Sequence, residues 1–173
     1  MAYYPDGQQE QIIQHLGLFR SMDLIHSMSY DQRGEHSTFA LAERTVHNWR
    51  AAGLPLSQLC LGVPFYSRHV QTGDWKTYEE LVRNNPNLDP GVDRVAGHYF
   101  NGVAMIKKKT KHAKEVWGLG GVMIWELGQD VKPSSPQSLL KAIADVVREG
   151  ADTDTADALG EPKDVQRPER DEL

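Results

Sequence analysis

The amino-acid sequence predicts an α/β fold built from parallel strand–helix units. Two observations support this prediction. Short apolar runs that suit strands alternate four times with segments whose apolar residues recur at steps of three and four. Proline and glycine residues stand between the two kinds of segment, where turns are expected. Strands that alternate with helices pair in parallel through right-handed crossovers, which cover both faces of the sheet.

The candidate strands are marked by apolar runs with turn residues beside them. Ala2-Tyr3-Tyr4 ends at the turn residues Pro5-Asp6-Gly7. Residues 22–29 form the second strand, and because strand side chains alternate, His26, Met28 and the following Tyr30 share one face. The third and fourth strands are the continuous apolar runs 59–63 and 121–125.

A helical pattern follows each strand. The first has Ile12, Ile13, Leu16 and Leu18 as apolar positions. Ser37 is expected to cap the second helix, whose core stripe includes Trp49. A third helix spans roughly 101–115, and Lys107–Lys114 is expected to be a solvated basic face.

The last helix is predicted to begin at Ser135 as cap with Pro136 in its first position. Its buried stripe would consist of five residues: Leu139, Leu140, Ile143, Val146 and Val147. Residues 67–100 look irregular apart from a short helix near 77–82, with Trp75 in a loop. We therefore expect few regular elements between the third strand and the third helix.

Four strand–helix units make half of an eight-stranded (β/α)8 barrel, which needs roughly 250 residues when complete. The sequence accordingly predicts a partial barrel over residues 1–150, corresponding to about strands 5–8. A complete doubly wound sheet of four strands is the alternative. Residues 151–173 lack apolar periodicity and are predicted to be an acidic, disordered tail.

Charge and composition exclude several classes of function. The tail carries the whole formal charge of −5, so residues 1–150 are neutral. A neutral body argues against a nucleic-acid partner, and no run is long and apolar enough for a membrane span. Cys60 is the only cysteine, so no disulfide forms within the chain.

The two ends of the sequence carry conflicting targeting signals. No signal peptide is recognisable after Met1, whereas Arg170-Asp-Glu-Leu173 resembles the tetrapeptide read by the endoplasmic-reticulum retrieval receptor. We expect that receptor as a partner and the endoplasmic-reticulum lumen or secretory pathway as the location, provided that a signal peptide exists upstream of Met1.

Candidate site residues follow the second strand. Tyr30 and Asp31 supply a phenol and a carboxylate at its carboxyl end, where parallel sheets place their ligand chemistry. These groups suit a sugar site. His26 is expected to be a packed histidine, because no other ligand stands at metal-binding spacing with it. The sequence also has no glycine-rich phosphate loop, so neither a metal nor a cofactor is expected.

Three segments resemble a known family when they are taken in order. They are Met28-Ser-Tyr-Asp31, Leu61-Gly-Val-Pro-Phe-Tyr-Ser-Arg68, and Gly120-Gly-Val-Met-Ile-Trp-Glu-Leu127 followed by Asp130. They are similar to the sixth, seventh and eighth strands of family 18 glycoside hydrolases, the chitinase family. Tyr3-Tyr4-Pro5 would end the fifth strand, so the resemblance covers about residues 2–131.

The resemblance implies a (β/α)8 barrel that acts on β-1,4-linked N-acetylglucosamine polymers by a substrate-assisted mechanism. It implies catalytic roles for Tyr30, which would donate to the acetamide oxygen, and Asp31, which would bind sugar hydroxyls. Substrate would also contact Met28 in the acetamide pocket, Trp125 under the sugar ring, and Tyr66 and Arg68 at the cleft edge. The family often has glycine at the position of Ser67, so we expect an extra side chain near the groove.

The family's catalytic signature, Asp-x-x-Asp-x-Asp-x-Glu, is not found in this sequence. Asp152-Thr-Asp154-Thr-Ala-Asp157 has the wrong spacing, and Asp89 and Asp93 do not fit either. Three functions remain open. The chain is the C-terminal part of a chitinase-like hydrolase, a non-catalytic lectin-like binder of chitin oligosaccharides, or an unrelated α/β interaction module.

Overall fold

The computed structural model describes the backbone of residues 1–158 and the side chains of residues 1–149. Its main sheet contains four strands: β1 Ala2–Tyr3, β2 Ile25–Ser27, β3 Leu59–Pro64 and β8 Gly121–Trp125. They are all parallel and lie in the order β1-β2-β3-β8. Spatial order follows chain order without the reversal of a doubly wound sheet, so the sheet has the order of a partial barrel.

Five α-helices accompany the strands within residues 1–158. They are α1 Gln8–His15, α2 Phe39–Ala51, α3 Tyr78–Asn84, α4 Val103–Lys111 and α5 Leu139–Ala158. A π-helical turn, His112–Val116, extends α4. None of the described helices is long and apolar enough to cross a membrane.

The apolar core lies between the outer face of the sheet and the helices. One cluster places Tyr3, Ile25 and Leu59 against Trp49 of α2, as predicted for this tryptophan. A second cluster surrounds Val63. Because β3 has a neighbour on each side and is buried along its whole length, its residues are apolar without alternation.

A second sheet, which the sequence did not predict, lies within residues 66–99. Its strands are β4 Tyr66–His69, β5 Trp75–Thr77, β6 Arg94–Val95 and β7 His98–Tyr99. They are antiparallel and lie in the order β5-β4-β7-β6. The prediction of an irregular segment, with Trp75 in a loop, was wrong because strands this short carry too little periodicity to be recognised.

Two predicted helix caps are displaced. Thr38, not Ser37, caps α2, because its hydroxyl accepts a hydrogen bond from the Leu41 amide at 3.1 Å. Ser138, not Ser135, caps α5 by accepting from the Lys141 amide at 3.1 Å. The carboxylate of Asp130 also accepts from the first amides of α5, so this residue is a structural cap.

The last helix extends further than predicted. It continues to Ala158, so the first residues of the predicted disordered tail are helical. The remainder of that tail lies outside the described residues. Val147 is 48% exposed and does not belong to the buried stripe.

Candidate functional site

The loop after β2 carries the site predicted from the sequence. The β-ladder continues one residue past β2, since the Met28 amide donates to the Tyr3 carbonyl at 2.7 Å. Tyr30 and Asp31 follow at the carboxyl edge of the sheet. Asp31 has a φ of 64°, a left-handed conformation that aspartate tolerates better than most side chains. A backbone held in this region is a frequent mark of functional loops.

The side chain of Asp31 is held by two donors from β4. Its Oδ1 accepts hydrogen bonds from the Tyr66 hydroxyl at 2.8 Å and from Arg68 Nε at 2.7 Å. Residues separated by two positions in a strand point to the same side, so β4 presents both donors together. The structure therefore brings together three of the residues that the sequence predicted.

The two donors determine the charge of this cluster. Burial pushes the pKa of Asp31 upward, but the hydrogen bonds from Arg68 and Tyr66 outweigh it, so the pKa lies below its ordinary value. Burial, followed by the Asp31 contact, raises the pKa of Tyr66 well above its ordinary value. At neutral pH the cluster consists of a carboxylate, a neutral phenol and a guanidinium.

Two tryptophans, Trp75 and Trp125, line an open cavity beside this cluster. The cavity has a volume of about 240 Å³. It is lined by Asp31, Tyr66, Arg68, Trp75, Trp125 and Gln129. Trp125 is 54% exposed and Trp75 59% exposed, so both rings can contact a ligand. An aromatic face beside hydrogen-bonding polar groups suits a carbohydrate ring, which has both apolar and hydroxyl surfaces.

Tyr30 and Met28 are not among the residues that line this cavity. Tyr30 is only 4% exposed and packs edge-on against Tyr66, with 6.1 Å between ring centroids. Burial, and secondarily the charge of Asp31, raise the pKa of Tyr30 to about 12, so its hydroxyl stays protonated at neutral pH. Met28 is partly buried. The partial barrel thus covers Tyr30 more fully than its position on the open face of four strands would suggest.

Ser67 does not enter the groove. It is fully buried on the opposite side of β4 from Tyr66 and Arg68. Its hydroxyl donates to the Lys76 carbonyl at 3.2 Å and lies 3.1 Å from His98 Nδ1. The expectation of an extra side chain near the groove was therefore wrong, because strand alternation turns this residue away.

A second cavity continues the groove beyond Arg68. Its volume is about 420 Å³, and it lies between the loop containing Arg33 and the turn at Gly73. Asp31 and Arg68 line both cavities. The site is consequently an elongated groove that could accept more than one sugar unit.

His36 is a neighbour of the site that sequence reasoning missed. It is fully buried, its Nδ1 lies 3.9 Å from Asp31 Oδ1, and its ring packs against Tyr66 and Tyr99. Burial lowers the pKa of His36 to about 4, so the ring is neutral at physiological pH. Its position depends on packing between distant segments, for which the sequence has no local signal. Among the described residues, no group of three or more His, Cys, Asp or Glu side chains could hold a metal ion.

Comparison with known proteins identifies the family. Residues 2–130 match the family described as glycosyl hydrolases family 18. The chain belongs to this family. The predicted resemblance is confirmed, and the alternative of an unrelated α/β module is wrong. No curated protein matches the chain.

Solved family 18 structures resemble the described fold. The GH18 chitinase ChiB from the chitin utilization locus of Flavobacterium johnsoniae is 30% identical with a TM-score of 0.69; the match covers 77% of this chain and 45% of that one. A chitinase from Bacteroides thetaiotaomicron is 23% identical, with a TM-score of 0.69 and coverages of 76% and 47%. A plant class V chitinase mutant from Cycas revoluta, in complex with (GlcNAc)3, is 18% identical with a TM-score of 0.66, covering 84% and 54%.

The family 18 match covers only part of a barrel. The chain spans about half the length of these chitinases. The predicted α/β fold, with parallel strands that form part of a TIM barrel, is thereby confirmed.

Proposed function

We propose that this chain is the C-terminal part of a chitinase-like family 18 domain and that its groove binds β-1,4-linked N-acetylglucosamine oligosaccharides. The observation that carries the proposal is the Asp31 carboxylate, held by Tyr66 and Arg68 beside the exposed face of Trp125. A solved relative that binds (GlcNAc)3 supports the choice of ligand.

Each side chain has a defined role in this proposal. Trp125 stacks against the apolar face of the pyranose ring, and partly buried Met28 lines the acetamide pocket. Both hydrogen bonds to Asp31 end on Oδ1, so Oδ2 accepts from a sugar hydroxyl. The protonated Tyr30 hydroxyl donates to the acetamide oxygen and orients it.

The groove holds and orients the sugar but does not supply the proton that cleaves the glycosidic bond. Substrate-assisted hydrolysis needs a carboxylic acid to protonate the leaving oxygen. The acidic signature that provides this acid in the family is not present in the sequence. We infer that a segment outside this sequence supplies the acid, or that the protein is a lectin-like binder without it.

Titration calorimetry of the 173-residue chain with (GlcNAc)3 tests the proposal. Trp125→Ala or Asp31→Asn is expected to weaken binding by about tenfold, or roughly 1.4 kcal/mol. Asp23→Asn, at an exposed position before β2, is the matched control and should bind like the unsubstituted chain. If the unsubstituted chain does not bind, or if all three variants bind equally well, the proposal is wrong.

A hydrolysis assay tests the absence of the acid. The chain mixed with a fluorogenic chito-oligosaccharide is expected to give no turnover. Clear hydrolysis that Tyr30→Phe abolishes would show that an acid is present after all. Transcript sequencing upstream of Met1 distinguishes a hydrolase from a lectin-like binder. An intact acidic signature there indicates a hydrolase, and a signature with the glutamate replaced indicates a lectin.

The C-terminal tetrapeptide bears on the cellular location of the protein. Arg170–Leu173 lie outside the described residues, and only their sequence points to the retrieval receptor. We propose that the protein is retained in the endoplasmic reticulum by the retrieval receptor. Expression of the full-length protein with and without this tetrapeptide tests the idea, and equal secretion of the two forms would contradict it.

A further inference from the structure

Lys109 is a fully buried lysine within the basic run that the sequence predicted to be solvated. It lies on α4 with 0% of its surface exposed. Its ammonium donates to the Ser37 carbonyl at 2.9 Å, the Ser37 hydroxyl at 2.9 Å and Asn101 Oδ1 at 2.8 Å. Burying a charge is unfavourable unless its hydrogen bonds are made, and these three acceptors match the three donors of an ammonium group.

The contacts of Lys109 lead to the loop that carries the sugar-site residues. The Ser37 hydroxyl, while accepting from Lys109, donates to the Ser29 carbonyl at 2.9 Å. Ser29 directly precedes Tyr30. The intervening loop is closed by a hydrogen bond from the Gln32 amide to the His36 carbonyl at 3.1 Å. Lys109 therefore holds the end of the loop, and Ser37 ties that end back to its beginning.

The network continues from Ser29 into the sheet. The Ser29 hydroxyl lies 2.9 Å from both the Ser27 and the Thr45 hydroxyls. Ser27 in turn donates to the Cys60 carbonyl at 3.1 Å, on the neighbouring strand β3. The loop is thus anchored on one side to α4 through Lys109 and on the other side to the strand ladder.

We propose that Lys109 is a positioning residue, which acts through Ser37 and Ser29 to fix Tyr30 and Asp31 in their ligand-binding geometry. This inference rests on the proposed sugar-binding function. A buried apolar side chain would fill the same space, but it would leave the Ser37 and Asn101 oxygens without their shared donor. Only a group with three donors orients both segments at once.

The charged groups around Lys109 are consistent with this role. Burial lowers the pKa of Lys109 to about 7, while Asp93 raises it. The three oxygen acceptors also favour the ammonium form, because a neutral amine has only two N–H donors. His36 is the nearby titratable base, and the positive charge of Lys109 helps to keep it neutral.

The experiment compares Ser37→Ala, Lys109→Met and, as the matched control, Lys111→Met in the full 173-residue chain. Lys111 lies on the same helix and is largely exposed. Two quantities are measured in each folded variant. They are the pKa of the Asp31 carboxyl by carbon NMR and the affinity for (GlcNAc)3. Ser37→Ala leaves Lys109 two of its acceptors, so it tests the network if Lys109→Met fails to fold.

The proposal predicts that Lys109→Met and Ser37→Ala both raise the pKa of Asp31, since a displaced loop loses the Arg68 and Tyr66 hydrogen bonds. It also predicts that Ser37→Ala weakens (GlcNAc)3 binding about tenfold. When Asp31 has already been replaced by alanine, adding Ser37→Ala should weaken binding much less, because the loop no longer carries the carboxylate. Lys111→Met should change neither quantity. A merely structural role would lower the melting temperature of Ser37→Ala while leaving the Asp31 pKa unchanged, and that result would overturn the proposal.

The NMR measurement does not require a ligand. If the unsubstituted chain fails to bind (GlcNAc)3, the proposed function is wrong. The pKa of Asp31 in Ser37→Ala still decides whether the network positions the loop.

Discussion

Arg68 Nε donates to Asp31 Oδ1 at 2.7 Å, on the same oxygen that accepts from Tyr66. Asp31 belongs to the loop after the second parallel strand, whereas Arg68 belongs to the antiparallel sheet. The ion pair therefore joins the two sheets at the groove. Its hydrogen bonds orient the carboxylate before any ligand arrives, which reduces the entropy lost on binding.

Replacing Arg68 should change the titration of Asp31. In Arg68→Met, the pKa of the Asp31 carboxyl is expected to rise toward its ordinary value, because the largest stabilising contact of the carboxylate is lost. A pH titration followed by carbon NMR measures this change. Arg44→Met, at an exposed position on α2, is the control and should leave the Asp31 titration unaltered. An unchanged pKa in Arg68→Met would contradict the assignment of this contact.

His36 should make the fold sensitive to acid. Its pKa is about 4 in the folded chain against an ordinary value of 6.5, so on acidification the unfolded chain takes up the proton first. The contribution is absent above pH 6.5 and grows as the pH falls to about 4, where it reaches roughly 3 kcal/mol of destabilisation.

Denaturant unfolding of His36→Phe at several pH values tests this prediction. Phenylalanine preserves the packing against Tyr66 and Tyr99 but cannot be protonated. The variant should therefore gain stability relative to the unsubstituted chain as the pH falls from 7 to 4. Parallel stability curves over this range would contradict the prediction.

Gly62 should tolerate no side chain. A Cβ at this position would collide with the Ser27 carbonyl oxygen and approach within 2.9 Å of the Tyr30 ring. Gly62→Ala is expected to destabilise the fold by about 1–3 kcal/mol and to weaken (GlcNAc)3 binding by displacing Tyr30. Gly128→Ala has no atom within 4 Å of its added Cβ and should change stability by less than about 0.5 kcal/mol. Equal stabilities of the two variants in denaturant would refute the crowding argument.

The chain by itself should expose unpaired strand edges and apolar side chains. Within residues 1–158, β1 and β8 each have a single neighbour, and Ile12 of α1 and Leu16 just after it are more than half exposed. Open strand edges and apolar patches favour association. We expect self-association or partial opening, seen by light scattering and binding of an apolar dye. Ile12→Gln together with Leu16→Gln should reduce both signals, whereas a monomer with a sharp melting transition and no dye binding would disprove the prediction.

Much of the parallel sheet could be predicted because its signals are local. The continuous apolar run at 59–63 marks a strand covered on both sides, and Trp49 recurs in register with the helical stripe of α2. Ser37 and Ser135 show the limit of such signals. Both are good cap residues, but the structure caps α2 with Thr38 and α5 with Ser138, and the Ser37 hydroxyl is engaged by Lys109 and Ser29 instead.

The sequence by itself determined the strand–helix alternation, the family, and the identity of Tyr30, Asp31 and Trp125 as site candidates. These follow from short motifs whose meaning does not depend on distant residues. Only the tertiary structure decided that Lys109 is buried, that Ser67 turns away from the groove, and that Asp31 is held by Arg68. The physical reason is that burial and hydrogen bonding join segments tens of residues apart. The local sequence around a residue does not specify which distant residue it will contact.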